Sequence, residues 1–263
     1  MSIEAKPVGR ILLTNDDGIH APGLVAMEKI ASALSDDVWV VAPETEQSGA
    51  SHSLTLAEPI RVRKIAPRKY AVLGTPTDCV MMAVRHIIAD GRPDLVLSGV
   101  NRGQNMADDV TYSGTVAGAM EGTLLGIPSI ALSQAFHIRT KDRVPFEVAV
   151  DNGPRVIRQL LAAGWDKGIL LNVNFPDVPG SQNLEIEITD QGVRDESTLV
   201  IDERVDPRGN TYFWFGFKPM KSQPPEGSDH RSVHDGRISV TPLHLDLTHG
   251  TSRDALRQAL KTL

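Results

Sequence analysis

The sequence predicts an α/β fold: a doubly wound, mostly parallel sheet in a Rossmann-like three-layer sandwich, with a protruding C-terminal β-hairpin arm. Three observations carry this expectation. Short continuous apolar runs such as Ile11-Leu12-Leu13 recur along the first half of the chain, as strands buried on both faces require. They alternate with helical stretches, the pattern of right-handed β-α-β crossovers that lay helices on both sides of a sheet. Beyond about Asp190 the pattern changes to two β-prone arms flanking Asp206-Pro207-Arg208-Gly209-Asn210, which is turn chemistry.

Residues 10–14 read as a buried strand, followed by the turn-like Asn15-Asp16-Asp17-Gly18 and a helix over 23–34. A second strand spans 38–41 and is stopped by Ala42-Pro43. After a polar loop over 44–53, short strands are expected at 54–56, 60–65 and 70–73, then a helix over 77–89. Strands at 94–98 and 127–133 flank a helix over 113–125. The hairpin is placed at 198–217, a Pro-rich connector at 218–228, a returning strand at 238–243 and a terminal helix at 252–263. Tyr212-Phe213-Trp214-Phe215 concentrates more aromatic surface than an exposed hairpin tolerates, so a partner subunit is expected to cover it. The chain is read as one domain, 1–263, with 198–236 as an excursion for oligomerisation.

With 41% hydrophobic and 23% charged residues, the composition is that of an ordinary globular protein, neither disordered nor fibrous. A formal net charge of -6 argues against a surface for duplex DNA or RNA, while leaving room for a small anion met by local donors. Cys79 is the sole cysteine, so no internal disulfide or thiolate cluster forms and a reducing compartment, the cytoplasm, is expected. The start of the chain reads as neither an export signal nor a membrane span.

Chemistry concentrates where the predicted strands end, the edge at which open α/β sheets bind ligands. Adjacent side chains of a regular strand point to opposite faces, so Asp16 and Asp17 converge on one cation only if the backbone bends, which Asn15 and Gly18 favour. Two carboxylates suit a hard divalent ion and offset the repulsion a phosphate would otherwise meet, which reads as a metal site in a phosphate-ester hydrolase. The competing account is a helix N-cap with a solvated spare acid. In Gln47-Ser48-Gly49-Ala50-Ser51, the Ser48 hydroxyl and free N–H groups near Gly49 would complete a metal shell or hold phosphate oxygens; an ordinary turn is the alternative. Ser98 to Asn105 brings Asn101, a neutral oxygen ligand, to the same edge, against the alternative of a glycine-rich loop. Tyr112-Ser113-Gly114-Thr115 opens a helix whose N–H groups would cradle phosphate, or Ser113 or Thr115 merely caps it. Asp78 either lines the site or complements a helix dipole. The eight histidines form no His-Glu-x-x-His zinc-hydrolase motif, and His86 is read as packed on its helix. No phosphate-binding Gly-Lys-Ser/Thr loop or dinucleotide glycine fingerprint follows the first strand.

Five motifs, Ile-Leu-Leu-Thr-Asn-Asp-Asp-Gly, Gln-Ser-Gly-Ala-Ser, Gly-Thr-Pro-Thr-Asp-Cys, Ser-Gly-Val-Asn-Arg-Gly-Gln-Asn and Tyr-Ser-Gly-Thr-Val-Ala-Gly-Ala-Met-Glu, occur in order between Arg10 and Ser133 and together resemble the SurE family. The resemblance implies 5'-nucleotidase action on nucleoside monophosphates, with some activity on 3'-nucleotides or short polyphosphate. It implies one divalent ion per subunit, Mg²⁺ or Mn²⁺, bound by Asp16, Asp17, Ser48 and Asn101, and homodimers or homotetramers built through the C-terminal arm. Ser228-Asp229-His230 stands where the family often has Thr-Asp, and Arg237 where an aromatic is usual. On this reading the ion neutralises the phosphate and acidifies a water for in-line attack, Asp16 or Asp17 accepts the proton, and Gly49, Asn105, Ser113, Gly114 and Thr115 hold the substrate. Two rivals are an aspartyl-phosphate route and a non-catalytic nucleotide-binding or scaffolding protein.

Overall fold

A computed structural model describes residues 6–137, 143–193, 199–217 and 223–261. A nine-stranded sheet forms its centre, with strands β1 (Arg10–Thr14), β2 (Asp37–Pro43), β3 (Arg61–Ala66), β4 (Lys69–Leu73), β5 (Leu95–Arg102), β6 (Ser129–Gln134), β7 (Ile169–Phe175), β8 (Ile186–Ile188) and β11 (Ile238–His244). Their spatial order is β3-β4-β2-β1-β5-β6-β7-β11-β8. The run from β4 to β7 is parallel, and antiparallel pairing enters only at β3 against β4 and β11 against β7. The chain order reverses direction around β1 and β5, so the loops after them open beside each other.

The pleat assigns the apolar residues to two layers. Ile11 and Leu13 of β1 pack with Leu24, Met27 and Ile30 of α1 (Pro22–Ser32) and Val148, Val156 and Ile157 of α4 (Phe146–Ala163). Leu12 points the other way, into a cluster with Cys79 and Val80 of α2 (Pro76–Met82). On that second face α3 (Gly114–Leu124) packs against β5 and β6. Two layers of helix around a doubly buried sheet are what the continuous apolar strands demand.

Several boundaries differ from the sequence expectation. Residues 54–56 form no strand, because the N–H and hydroxyl of Thr55 bind the carboxylate of Asp78, which withdraws them from any ladder. The helix expected to reach residue 89 leaves α-geometry after Met82 and continues as a wider π turn, Ala83–Ile87. His86 lies exposed on that turn rather than packed. The fifth strand runs four residues beyond 98, to Arg102, with a register shift between Gly99 and Asn101. A Cβ on Gly99 would stand 2.1 Å from the carbonyl oxygen of Leu132, so glycine is required there. Four elements have no counterpart in the sequence expectation: α4, β7, β8 and the short α5 (Asp229–His234). In α4 the buried residues recur at 148, 149, 152, 153, 156 and 157, a helical stripe whose regularity Pro154 disguises.

The arm is present as the antiparallel pair β9 (Leu199–Val205) and β10 (Thr211–Phe217), a two-stranded sheet separate from the central one. Residue 198 and connector residues 218–222 lie outside the described residues. The terminal helix α6 spans Gly250–Ala259. No helix among the described residues is long and apolar enough to cross a membrane.

Candidate functional site

The loops after β1, β2 and β5 and the start of α3 meet at one edge of the sheet. They bound a cleft of about 650 Å³ lined by Asp16, Ser48, Gly49, Asn101, Asn105 and Ser113, with Arg102, Gln104, Asp109, Tyr112 and Phe215 completing its walls. Asp17 lies next door, lining a second cleft of about 640 Å³ with Glu46, Arg102 and Arg143. Arg102 belongs to both walls.

Asp16 is buried and its Oδ1 accepts the hydroxyl of Thr115. Thr115 is therefore a support for the carboxylate, and it does not line the cleft. Gly114 has the same kind of role: a Cβ there would lie 2.8 Å from Cβ of Asp16 and 3.0 Å from its Oδ2. Only a residue without a side chain lets α3 approach the acid so closely. Ser113 caps α3, its hydroxyl accepting the N–H of Val116 at 3.0 Å, and it also faces the cleft. Capping and anion binding are compatible here, since the first N–H groups of a helix exceed what one side chain satisfies.

Asp17 accepts the backbone N–H of Arg102 at 3.1 Å. Burial and the neighbouring Asp16 push its carboxyl up to about 6, with Glu46 adding to the rise and Arg102 opposing it. Burial likewise raises Asp16, against the Thr115 hydrogen bond. Ser48 donates to Glu46 at 2.9 Å, and Asn101 donates from Nδ2 to the carbonyl of Gly103 at 3.0 Å, which leaves the Asn101 amide oxygen as its acceptor toward the cleft. Next to them Asn15 donates to Gly18 at 3.0 Å, but its Oδ1 is buried with no hydrogen-bond partner.

These features fit a hard divalent cation. Two adjacent carboxylates raised by burial, a third acid at Glu46 and only oxygen donors make a negative pocket that a cation of the Mg²⁺ or Mn²⁺ type would neutralise. Among the described residues no group of three or more His, Cys, Asp or Glu is arranged to hold a metal. A shell of two acids completed by the neutral oxygens of Ser48 and Asn101 is consistent with that, because half of its donors are neither acidic nor imidazole.

Asn105 was singled out in the sequence, but its supports were not. Its N–H binds Asn174 Oδ1 at 2.8 Å, its Nδ2 donates to Ser133 at 2.8 Å, and its carbonyl accepts from both Asn172 and Asn174. Asn172-Val173-Asn174 places two asparagines on one face of an otherwise apolar strand, a period-two polar pattern that marks a buried network. The loop bearing Ser48 is moored in turn: Ser51 binds the carbonyls of Thr111 and Tyr112, and His52 Nε2 lies 3.1 Å from the buried Glu121 of α3. Asp78 resolves as a capping acid, exchanging hydrogen bonds with Thr75, and does not line the cleft. Asp229, buried, accepts from Ala107 at 2.8 Å and Gly192 at 3.0 Å, tying the turn before α3 to the segment leading into the arm. Glu46, Arg102 and Phe215 are further site residues; Arg102 sits in the Ser98–Asn105 motif and Phe215 in the aromatic run of the arm, but only the packing of separate strands brings them to these clefts.

Fold and edge together define an α/β protein whose strand ends suit a cation and an oxyanion side by side. The family model described as Survival protein SurE matches residues 11–198. A 5'-nucleotidase SurE of Parvibaculum lavamentivorans is 60% identical over 254 residues, covering 97% of this chain and 92% of the relative. One from Caulobacter vibrioides is 60% identical over 252 residues, covering 95% and 96%. Among solved structures, the SurE protein from Aquifex aeolicus superposes with a TM-score of 0.83 at 39% identity, over 95% of this chain and 99% of that one. The chain belongs to the SurE family.

Proposed function

We propose that this chain is a metal-dependent 5'-nucleotidase that hydrolyses nucleoside 5'-monophosphates to nucleoside and phosphate, with 3'-nucleotides and short polyphosphate as secondary substrates. One observation carries the reading: Asp16, Ser48, Asn101, Asn105 and Ser113, from four separate segments, face one cleft in a chain 60% identical to relatives named 5'-nucleotidases. Asp16, Asp17, Ser48 and Asn101 are the residues that would hold one divalent ion, Mg²⁺ or Mn²⁺. When bound, such an ion supplies countercharge to the phosphate and makes water acidic enough to attack at neutral pH.

The protein's own groups do the remainder. Asn105, Gly49 and the N–H of Gly114, which follows the Ser113 cap, orient the phosphate oxygens at the start of α3, where the helix dipole favours negative charge. Gly114 and Thr115 act through Asp16 by fixing its rotamer. The proton of the attacking water passes to one of the paired carboxylates, Asp16 or Asp17. Arg102, shared by the two clefts, adds positive charge beside the acids.

The same reading makes 1–263 one domain in a reducing cytoplasm, with the 198–236 arm joining subunits into a homodimer or homotetramer. Exposed Tyr212 and Trp214, which share one face of the arm, support an arm that is covered in the assembly. Phosphate release from a panel of nucleoside monophosphates, with Mn²⁺, Mg²⁺ or EDTA, tests the activity. Metal-dependent release that Asp16→Asn abolishes is expected. Nucleotide binding without release in any metal would instead make the protein a non-catalytic binder.

A further inference from the structure

We infer that Tyr112 and Phe215 form a stacking surface for the nucleobase, so that the aromatic arm sets which phosphate esters the site prefers. The inference rests on the nucleotidase reading above and adds the part of the substrate that reading leaves unheld. The polar floor of the cleft, Asp16, Ser48, Asn101 and Ser113, is assigned above to cation and phosphate and is not assigned to the base. The rim is different. Tyr112, 59% exposed, stands immediately before the helix cap Ser113, and Phe215, 78% exposed, enters from β10, about a hundred residues later in sequence. Two large aromatic faces at the mouth of a polar cleft have the chemistry of a ligand contact, since apolar rings left to water are otherwise a liability.

Their placement is built. The carbonyl of Tyr112 accepts the N–H of Ser51 at 3.2 Å and that of Thr111 accepts the Ser51 hydroxyl at 2.7 Å, so the Tyr112 backbone is locked to the loop that carries Ser48 and Gly49. Phe215 pairs with Ile201 across the hairpin, and strand alternation puts it on the face opposite Tyr212 and Trp214. One face of the arm therefore reaches the cleft, and the other stays available to a partner. Phe215 bears no donor or acceptor. A site that grips the base by its π-face accepts purines and pyrimidines alike and ranks them by stacking area. It also predicts that esters lacking a base are poorer substrates than nucleotides.

Ribose 5-phosphate is the discriminating probe, because it differs from a nucleoside 5'-monophosphate by the base alone. Full-length protein with Mn²⁺ is assayed on AMP and on ribose 5-phosphate, for wild type, Phe215→Ala, Tyr112→Ala and Phe215→Trp. Each alanine variant is expected to lower the ratio of kcat/KM for AMP to that for ribose 5-phosphate by roughly 5- to 100-fold, chiefly through KM for AMP. Phe215→Trp is expected to keep the ratio within about threefold of wild type, since a larger ring still stacks. An unchanged ratio in both alanine variants, or a parallel loss on both substrates, overturns the inference while leaving the nucleotidase reading intact. If the wild type releases phosphate from neither ester, the nucleotidase reading fails and the inference falls with it.

Discussion

At the scale of single residues, the site is governed by how closely carboxylates are held to one another and to α3. Gly114→Ala puts a methyl 2.8 Å from Cβ of Asp16, so the start of α3 or the buried acid must shift. We expect a stability loss of about 1–3 kcal/mol in urea unfolding and a fall in Mn²⁺ affinity of about tenfold or more by calorimetry. Normal Mn²⁺ affinity in this variant would show that Gly114 is not fitted to Asp16. Asp17 gives a prediction with a defined sign. Its carboxyl titrates at about 6 in the fold against an ordinary 3.8, so it favours the folded state below 3.8 and opposes it as pH rises through 6. In EDTA near pH 7, Asp17→Asn should therefore be more stable than wild type by about 1–2 kcal/mol, after discounting for its partial exposure. The gain should vanish near about pH 3, below the ordinary 3.8, where the Asp17 carboxyl is protonated in the folded and unfolded states alike. A variant less stable than wild type near pH 7 would contradict this account.

At the scale of elements, the functional side chains ride on loops fixed from behind. Asn174 at the end of β7 both accepts from and donates to the backbone of Asn105, so Asn174→Ala leaves two buried polar groups without that partner. The expected cost is about 2–3 kcal/mol in denaturant, with kcat/KM on AMP reduced by about tenfold as Asn105 loses its orientation. Activity equal to wild type at reduced stability would limit Asn174 to a structural role. His52 and Glu121 moor the Ser48 loop to α3 in the same manner. His52→Ala should weaken Mn²⁺ binding several-fold without altering the far-ultraviolet circular dichroism, since the contact joins a loop to a helix that packs independently of it.

At the scale of the whole molecule, the arm is a separate two-stranded sheet with no ladder to the nine central strands. Replacing residues 199–217 by a short glycine-serine linker should leave the α/β body folded, because the core clusters draw on the central sheet and its helices rather than the hairpin. Light scattering should then report a smaller assembly than wild type, and the preference for AMP over ribose 5-phosphate should fall with the loss of Phe215. An unchanged assembly would remove the arm from the subunit interface. Collapse of the body would show instead that the arm is part of the core.

Periodicity and punctuation made much of this legible beforehand. Apolar runs at Ile11-Leu12-Leu13 and Leu95-Val96-Leu97 specify doubly buried strands by themselves, and the Asp-Pro-Arg-Gly-Asn turn specifies a hairpin, because pleat and turn preferences are local. Strand ends rich in Asp, Ser and Asn likewise announced Asp16, Ser48, Asn101 and Ser113 as companions, and the cleft gathers all four. What the chain pattern did not contain is which distant groups meet. That Asp17 turns to a neighbouring cleft, that Thr115 and Gly114 serve Asp16 rather than face the cleft, that Asn172 and Asn174 hold Asn105, and that Phe215 reaches Tyr112's side of the molecule all depend on strand order and register. Local preference acts over a few residues, whereas those contacts join segments up to about a hundred residues apart, and only packing the helices on both faces of one sheet decides them.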